Sequence, residues 1–138
     1  MYADRENSTA KIMMVTILSG VSGGLTAAFL KPFVMRTYSK KNRYDVGALS
    51  NGILAGLVAI TGVCDHCEPW SSCVIGLIGG IVYTMACKLM EAIGVDDPIE
   101  AAQVHGFTGM WGLIAVGIFD NQNGLISDSG DSGKFFGW

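Results

Sequence analysis

The sequence predicts an all-α polytopic membrane protein with four spanning helices, and three observations carry that prediction. Charges are swept out of residues 12–30, 46–64, 70–87 and 101–119, each eighteen or nineteen residues without Asp, Glu, Lys or Arg. A helix of that length rises roughly 28 Å, close to the thickness of a bilayer's hydrocarbon core. Glycine fills 19 of 138 positions, and Gly20 with Gly24, Gly52 with Gly56, and Gly76 with Gly80 make small-xxx-small pairs. Such pairs let helix backbones approach closely in lipid. The basic residues, finally, concentrate in a single loop between spans. Composition alone, 50% apolar and 15% charged, does not decide the matter, because ordinary soluble domains approach that apolar content. A soluble bundle needs polar outer faces, and a chain of this length could not bury four wholly apolar helices. We expect one domain, 1–138, with spans at about 10–34, 46–63, 70–90 and 99–119.

The opening MYADRENSTAK is polar and has no basic segment followed by a cleavage site, so no signal peptide is expected. Asn7-Ser8-Thr9 matches a glycosylation sequon, but so close to the first span Ser8 or Thr9 reads better as a helix cap. Lys31 near the span's end can snorkel to the interface, and Pro32 predicts a kink or an early stop. The loop that follows holds Arg36, Lys40, Lys41 and Arg43, four of the nine basic residues. The positive-inside rule puts loop 36–45 in the cytoplasm. The second span then runs outward with Gly52 and Gly56, and the link CDHCEPWSSC, acidic at Asp65 and Glu68 and free of Lys and Arg, faces outside. Cys64, Cys67 and Cys73 in that link are open to a disulfide or a plain loop role, while CDHC also permits a metal reading through Cys64, His66 and Cys67. A structural metal site draws on a second ligand pair, and none is evident, so no metal is expected. The third span carries Gly76, Gly80 and Cys87 and returns inside through KLMEAIGVDDP.

The fourth span is the most legible. Asp97 suits the N-cap, Pro98 the first helical position and Glu100 the third, where a carboxylate can reach back to the cap. His105 then falls about two turns inside an uncharged helix. An ionisable group at that depth must be paired, wet or neutral, and is a site hypothesis by default. A core histidine bonded to a neighbouring helix is the other reading, and the residues leave both open. Gly106, Gly109 and Gly112 are expected to make a smooth packing strip, and Trp111 is left unassigned between the protein interior and lipid. No nucleotide loop, HExxH pattern or placeable Ser/His/Asp set is visible, no basic patch is interleaved with aromatics, and no cofactor is called for. The expectation is a protein that is not an enzyme and binds no nucleic acid.

NGILAGLVAIT (51–61), the CxxCxPW-like turn, IGLIGGIV (75–82) and above all VDDPIEAAQVHGFTGMWGLIAVGIF (95–119) resemble the ammonium transporter branch of the ammonium transporter/methylammonium permease/Rh superfamily. The resemblance runs from about residue 8 to the end, with several motifs in the family's order and spacing. It implies an eleven-helix inverted-repeat fold of which these four resemble helices seven to ten, a homotrimer with one pore in each subunit, and a plasma-membrane location. It further implies that His105 is the second of two pore histidines, the first lying outside this sequence, and that Asp96, Asp97, Pro98 and Glu100 form a structural cytoplasmic turn and helix cap. The expected function is ammonium or ammonia transport through a mid-membrane histidine relay. A truncated paralogue acting as an assembly or regulatory subunit is the alternative.

Overall fold

The computed structural model describes residues 2–35, 45–121 and 124–125, and all its regular structure there is helical. The helices are α1 (Tyr2–Val34), α2 (Val46–Ile60), α3 (Pro69–Ile93), and a π-helical segment (Ala102–Phe107) that runs straight into α4 (Thr108–Phe119). Ser8–Val34, Pro69–Ile93 and Ala102–Phe119 are long and apolar enough to cross a membrane. The loop 36–44 lies outside the described residues, so the positive-inside argument meets no geometry there.

Helix boundaries differ from the sequence reading in several places, for local reasons. Helix α1 starts at Tyr2 and passes through Ser8 and Thr9, so neither residue caps it. Pro32 sits in its last turn, so the backbone bond its missing N–H forfeits falls at the very end of the helix, and Met35 N–H still closes on Lys31 O at 2.9 Å. Helix α2 has fifteen residues, shorter than the expected span, because the chain tightens beyond Ile60 into three-residue turns. Thr61 N–H bonds Val58 O at 3.3 Å and Val63 N–H bonds Ile60 O at 3.1 Å, and Thr61 Oγ1 takes Val58 O as well. At its start Asp45 accepts from Ala48 N–H at 3.1 Å, an N-cap that satisfies one orphan donor. Helix α3 opens with Pro69 at the first turn and closes on Gly94, whose φ of 72° is the left-handed conformation that lets Val95 N–H return to Met90 O.

Helix α1 packs on both α2 and α3 and is antiparallel to the former. Gly56 and Gly76 press against the Ser19 carbonyl, and Gly52 and Gly80 against Gly23 one turn on, leaving no room for a Cβ at any of the four. In lipid that close approach replaces the hydrophobic drive between helices. Ser19 Oγ adds a buried 2.8 Å bond to Gly56 O. Helix α4 packs on α2 and α3 but not on α1, running parallel to α2 with Gly112 against Ala59 and Gly62 against Val116. At the end of the bundle near the link between α2 and α3, Val15, Ile60, Val63, Ile75 and Phe119 form one core cluster. Asn121 stitches that end by donating to Glu68 Oε1 at 2.8 Å and to His66 O at 3.0 Å.

Candidate functional site

The site is built where the fourth helical rod begins. Asp97, Pro98 and Ile99 form a turn, closed by Glu100 N–H on Asp97 O at 3.0 Å, and Pro98 is not the first helical residue. Asp97 still serves a helix start, through Oδ2 accepting from Ala102 N–H at 2.9 Å, two residues later than the expected register. Gln103, 4% exposed, tightens the same turn. In the amide orientation its neighbours require, it donates to Asp97 Oδ2 at 2.8 Å and Glu100 O at 3.2 Å. Asp96 is exposed beside it.

Glu100 does not cap. Its φ is 57°, the one positive value at a non-glycine among the described residues, and this turns its side chain away from the helix start and under the other three helices. Glu100 Oε1 pairs with Lys31 Nζ at 2.5 Å. Its Oε2 accepts from Asn51 Nδ2 at 2.8 Å and from the Tyr83 hydroxyl. Lys31 Nζ also meets Tyr83 Oη at 2.7 Å. One carboxylate thus joins α1, α2 and α3. Lys31 is 8% exposed, so it is not snorkelling to an interface but is held inside by its partners.

Because the helix starts at Ala101 and not at Asp97, His105 lies one turn inside it, not two. It is exposed, on the π-helical segment, with Gly106 beside it and Met110 and Leu113 following on the same uncovered side. The opposite side, Val104, Thr108, Gly112, Ala115 and Phe119, is buried on α2 and α3. Thr108 Oγ1 bonds back to Val104 O. Wide π turns set side chains off the α-helical register and recur at functional positions. A core histidine bonded to a neighbouring helix within this chain is therefore not what the geometry presents. Nor do the three glycines make one strip: a Cβ on Gly112 would meet Ala59, one on Gly109 would reach Val58 at 3.9 Å, and one on Gly106 would meet nothing within 4 Å. Trp111 donates Nε1–H to Ile75 O at 3.0 Å, turning toward α3.

Around the CDHC string all three thiols are free, as is Cys87. Cys67 is fully buried, and burial pushes its thiol up to about 11, which disfavours the thiolate a metal requires. His66 Nδ1 faces Asp65 Oδ1 at 2.9 Å.

Residues 2–137 match the sequence profile of the Ammonium Transporter Family. The chain belongs to the ammonium transporter family. It is 45% identical over 113 residues to ammonium transporter Amt2 of Archaeoglobus fulgidus, covering 81% of this chain and 23% of that protein. It is 42% identical over 116 residues to a putative ammonium transporter of Synechocystis, covering 84% and 25% respectively. Among solved structures it superposes on Saccharomyces cerevisiae Mep2 with a TM-score of 0.71 at 31% identity, over 82% of this chain and 25% of that one. A second, titled a sensor Amt protein, gives 0.69 at 34% identity, over 82% and 27%. This ammonium transporter chain therefore spans about a quarter of the length of the relatives it matches, and it is a multi-pass membrane protein of their fold. The partners of Glu100 on three other helices were the part that motif reading missed. A lysine, an asparagine and a tyrosine on three separate apolar spans were the available signal, since polar groups inside spans demand partners.

Proposed function

We propose that this chain forms one wall of an ammonium pore within a longer transporter, with His105 as the group that meets the permeating species. The observation that carries the reading is the exposure of His105 on the side of the fourth helix that α1, α2 and α3 leave uncovered. Helices outside this chain would close that side, bringing the first of the two histidines that the family resemblance implies. The four helices would stand as the seventh to tenth of eleven, in a homotrimer at the plasma membrane with loop 36–45 cytoplasmic.

Ammonium resembles potassium in charge and size, so a selective pore must use what potassium lacks, N–H donors and a removable proton. An imidazole nitrogen accepts a hydrogen bond from ammonium or ammonia, and the ring can relay a proton. Carrying an intact cation through an apolar lumen is costly, and a histidine relay lowers that cost by letting ammonia and its proton cross separately. Replacing His105 by Ala in the complete transporter is expected to abolish ammonium flux or its discrimination against potassium. The assay is uptake into cells lacking their own ammonium transporters, normalised to protein in the membrane. Wild-type flux together with wild-type discrimination would sink the assignment.

A further inference from the structure

The Lys31, Asn51, Tyr83 and Glu100 cluster is a costly thing to build. A left-handed φ at a residue with a Cβ persists only where its surroundings over-determine it, and a buried lysine must be paired to stay charged. Both conditions meet at one residue, Glu100, which stands two residues before the π-helical segment bearing His105. Val104 N–H bonds Glu100 O at 3.0 Å, so the backbone of Glu100 is itself the first acceptor of the rod that presents His105. Its side chain is fixed from three other helices, by Lys31 at 2.5 Å, Asn51 at 2.8 Å and the Tyr83 hydroxyl. The helix start is thereby referenced to α1, α2 and α3 together. Capping alone would require none of those three partners, and Asp97 already supplies it.

We propose that Glu100, held by Lys31, Tyr83 and Asn51, is a positioning residue that sets the height and rotation of His105 on its uncovered side. This rests on the reading of His105 as a pore group. The Lys31–Glu100 pair is the main fastening, and Tyr83 and Asn51 fix which way the carboxylate faces. A displaced helix start moves an imidazole out of hydrogen-bond range of a permeating molecule, and misplacement on the order of 1 Å is enough to lose most of a rate.

The test uses the complete transporter and three readouts: protein assembled in the membrane, Vmax and KM for ammonium per assembled molecule, and discrimination against potassium. Lys31→Met strands the half-buried Glu100 and Glu100→Gln the buried Lys31, so both are expected to lower the assembled amount. The double variant strands no charge and is expected to recover that amount. Its Vmax per molecule should nevertheless stay about tenfold low and its discrimination fall, with KM within roughly twofold of wild type. Wild-type Vmax and discrimination in the recovered double variant would make the pair merely structural and overturn the proposal. If the double variant does not assemble, Tyr83→Phe, which keeps the ring and removes one donor to Glu100, carries the same test with the same two outcomes. His105→Ala is run alongside. Should it transport and discriminate as wild type, the pore reading itself is overturned, whatever the Glu100 variants do.

Discussion

Gly56 and Gly76 press their backbones onto one carbonyl of α1, that of Ser19, whereas Gly106 on the fourth helical rod faces nothing within 4 Å. The same residue type thus serves two ends. A glycine in a helix interior costs roughly 1 kcal/mol relative to alanine. Along the α1 seam that cost is offset by backbone contact, and the seam is complete within this chain. Beside His105 no neighbour among the described residues offsets it, so the small residue there leaves space, which on the proposed reading belongs to the pore. The comparison separates a part of the molecule that its own contacts explain from a part whose glycine they do not.

The strongest way to break the comparison is at the seam. Gly76→Ala would drive a Cβ into the Ser19 carbonyl and the Ser22 hydroxyl, and backbone cannot step aside as a side chain can. Overpacking of this kind costs typically about 1–3 kcal/mol, more where nothing yields. The detergent-solubilised protein should lose its cooperative melting transition or shift it down by many degrees. A melting curve superimposable on wild type would mean that α1 is not seated as described.

A smaller effect is expected at Trp111, which belongs to the buried flank of the fourth rod. Trp111→Phe keeps an aromatic side chain, though a smaller one, and removes the indole donor to Ile75 O, leaving one carbonyl without its side-chain partner. The expected loss is about 1 kcal/mol of stability, with ammonium flux unchanged. Flux lost without any loss of stability would instead place Trp111 at the pore and redraw the division between the two flanks.

How much of this was written plainly in the sequence follows the same division. The all-helical fold was legible because charge exclusion over eighteen residues is a property of one segment at a time, and the glycine pairs of α2 and α3 are likewise local spacings. The capping of the fourth helix was legible only in part. The string DDPIE reads as Asp97 cap, Pro98 first turn, Glu100 third residue, and each preference is sound alone. The fold overrides them because Glu100 has partners 69, 49 and 17 residues away in sequence, worth more to a half-buried carboxylate than one backbone N–H. That shift moves the helix start to Ala101 and brings His105 one turn closer to it. No local pattern encodes a contact between four spans, though Lys31, predicted to snorkel, was a charge in want of a counter-charge.

The smallest effect is the most discriminating, because it has opposite signs on the two sides of the comparison. Gly106→Ala adds a methyl where nothing lies within 4 Å and where φ is not positive. In the 138-residue chain it should raise stability by about 0.5–1 kcal/mol through helix propensity, the reverse of Gly76→Ala, and show as a small upward shift in melting temperature. In the complete transporter the same methyl would stand in the space next to His105, and ammonium flux per molecule should fall although the protein is no less stable. A rise in stability in both contexts with flux untouched would mean that the space is not a permeation path, and His105 would then face lipid or another subunit. A fall in stability confined to the complete protein would mean that a helix packs directly on Gly106, which would give this glycine the same close-approach role as Gly56 and Gly76 and dissolve the contrast between the two regions.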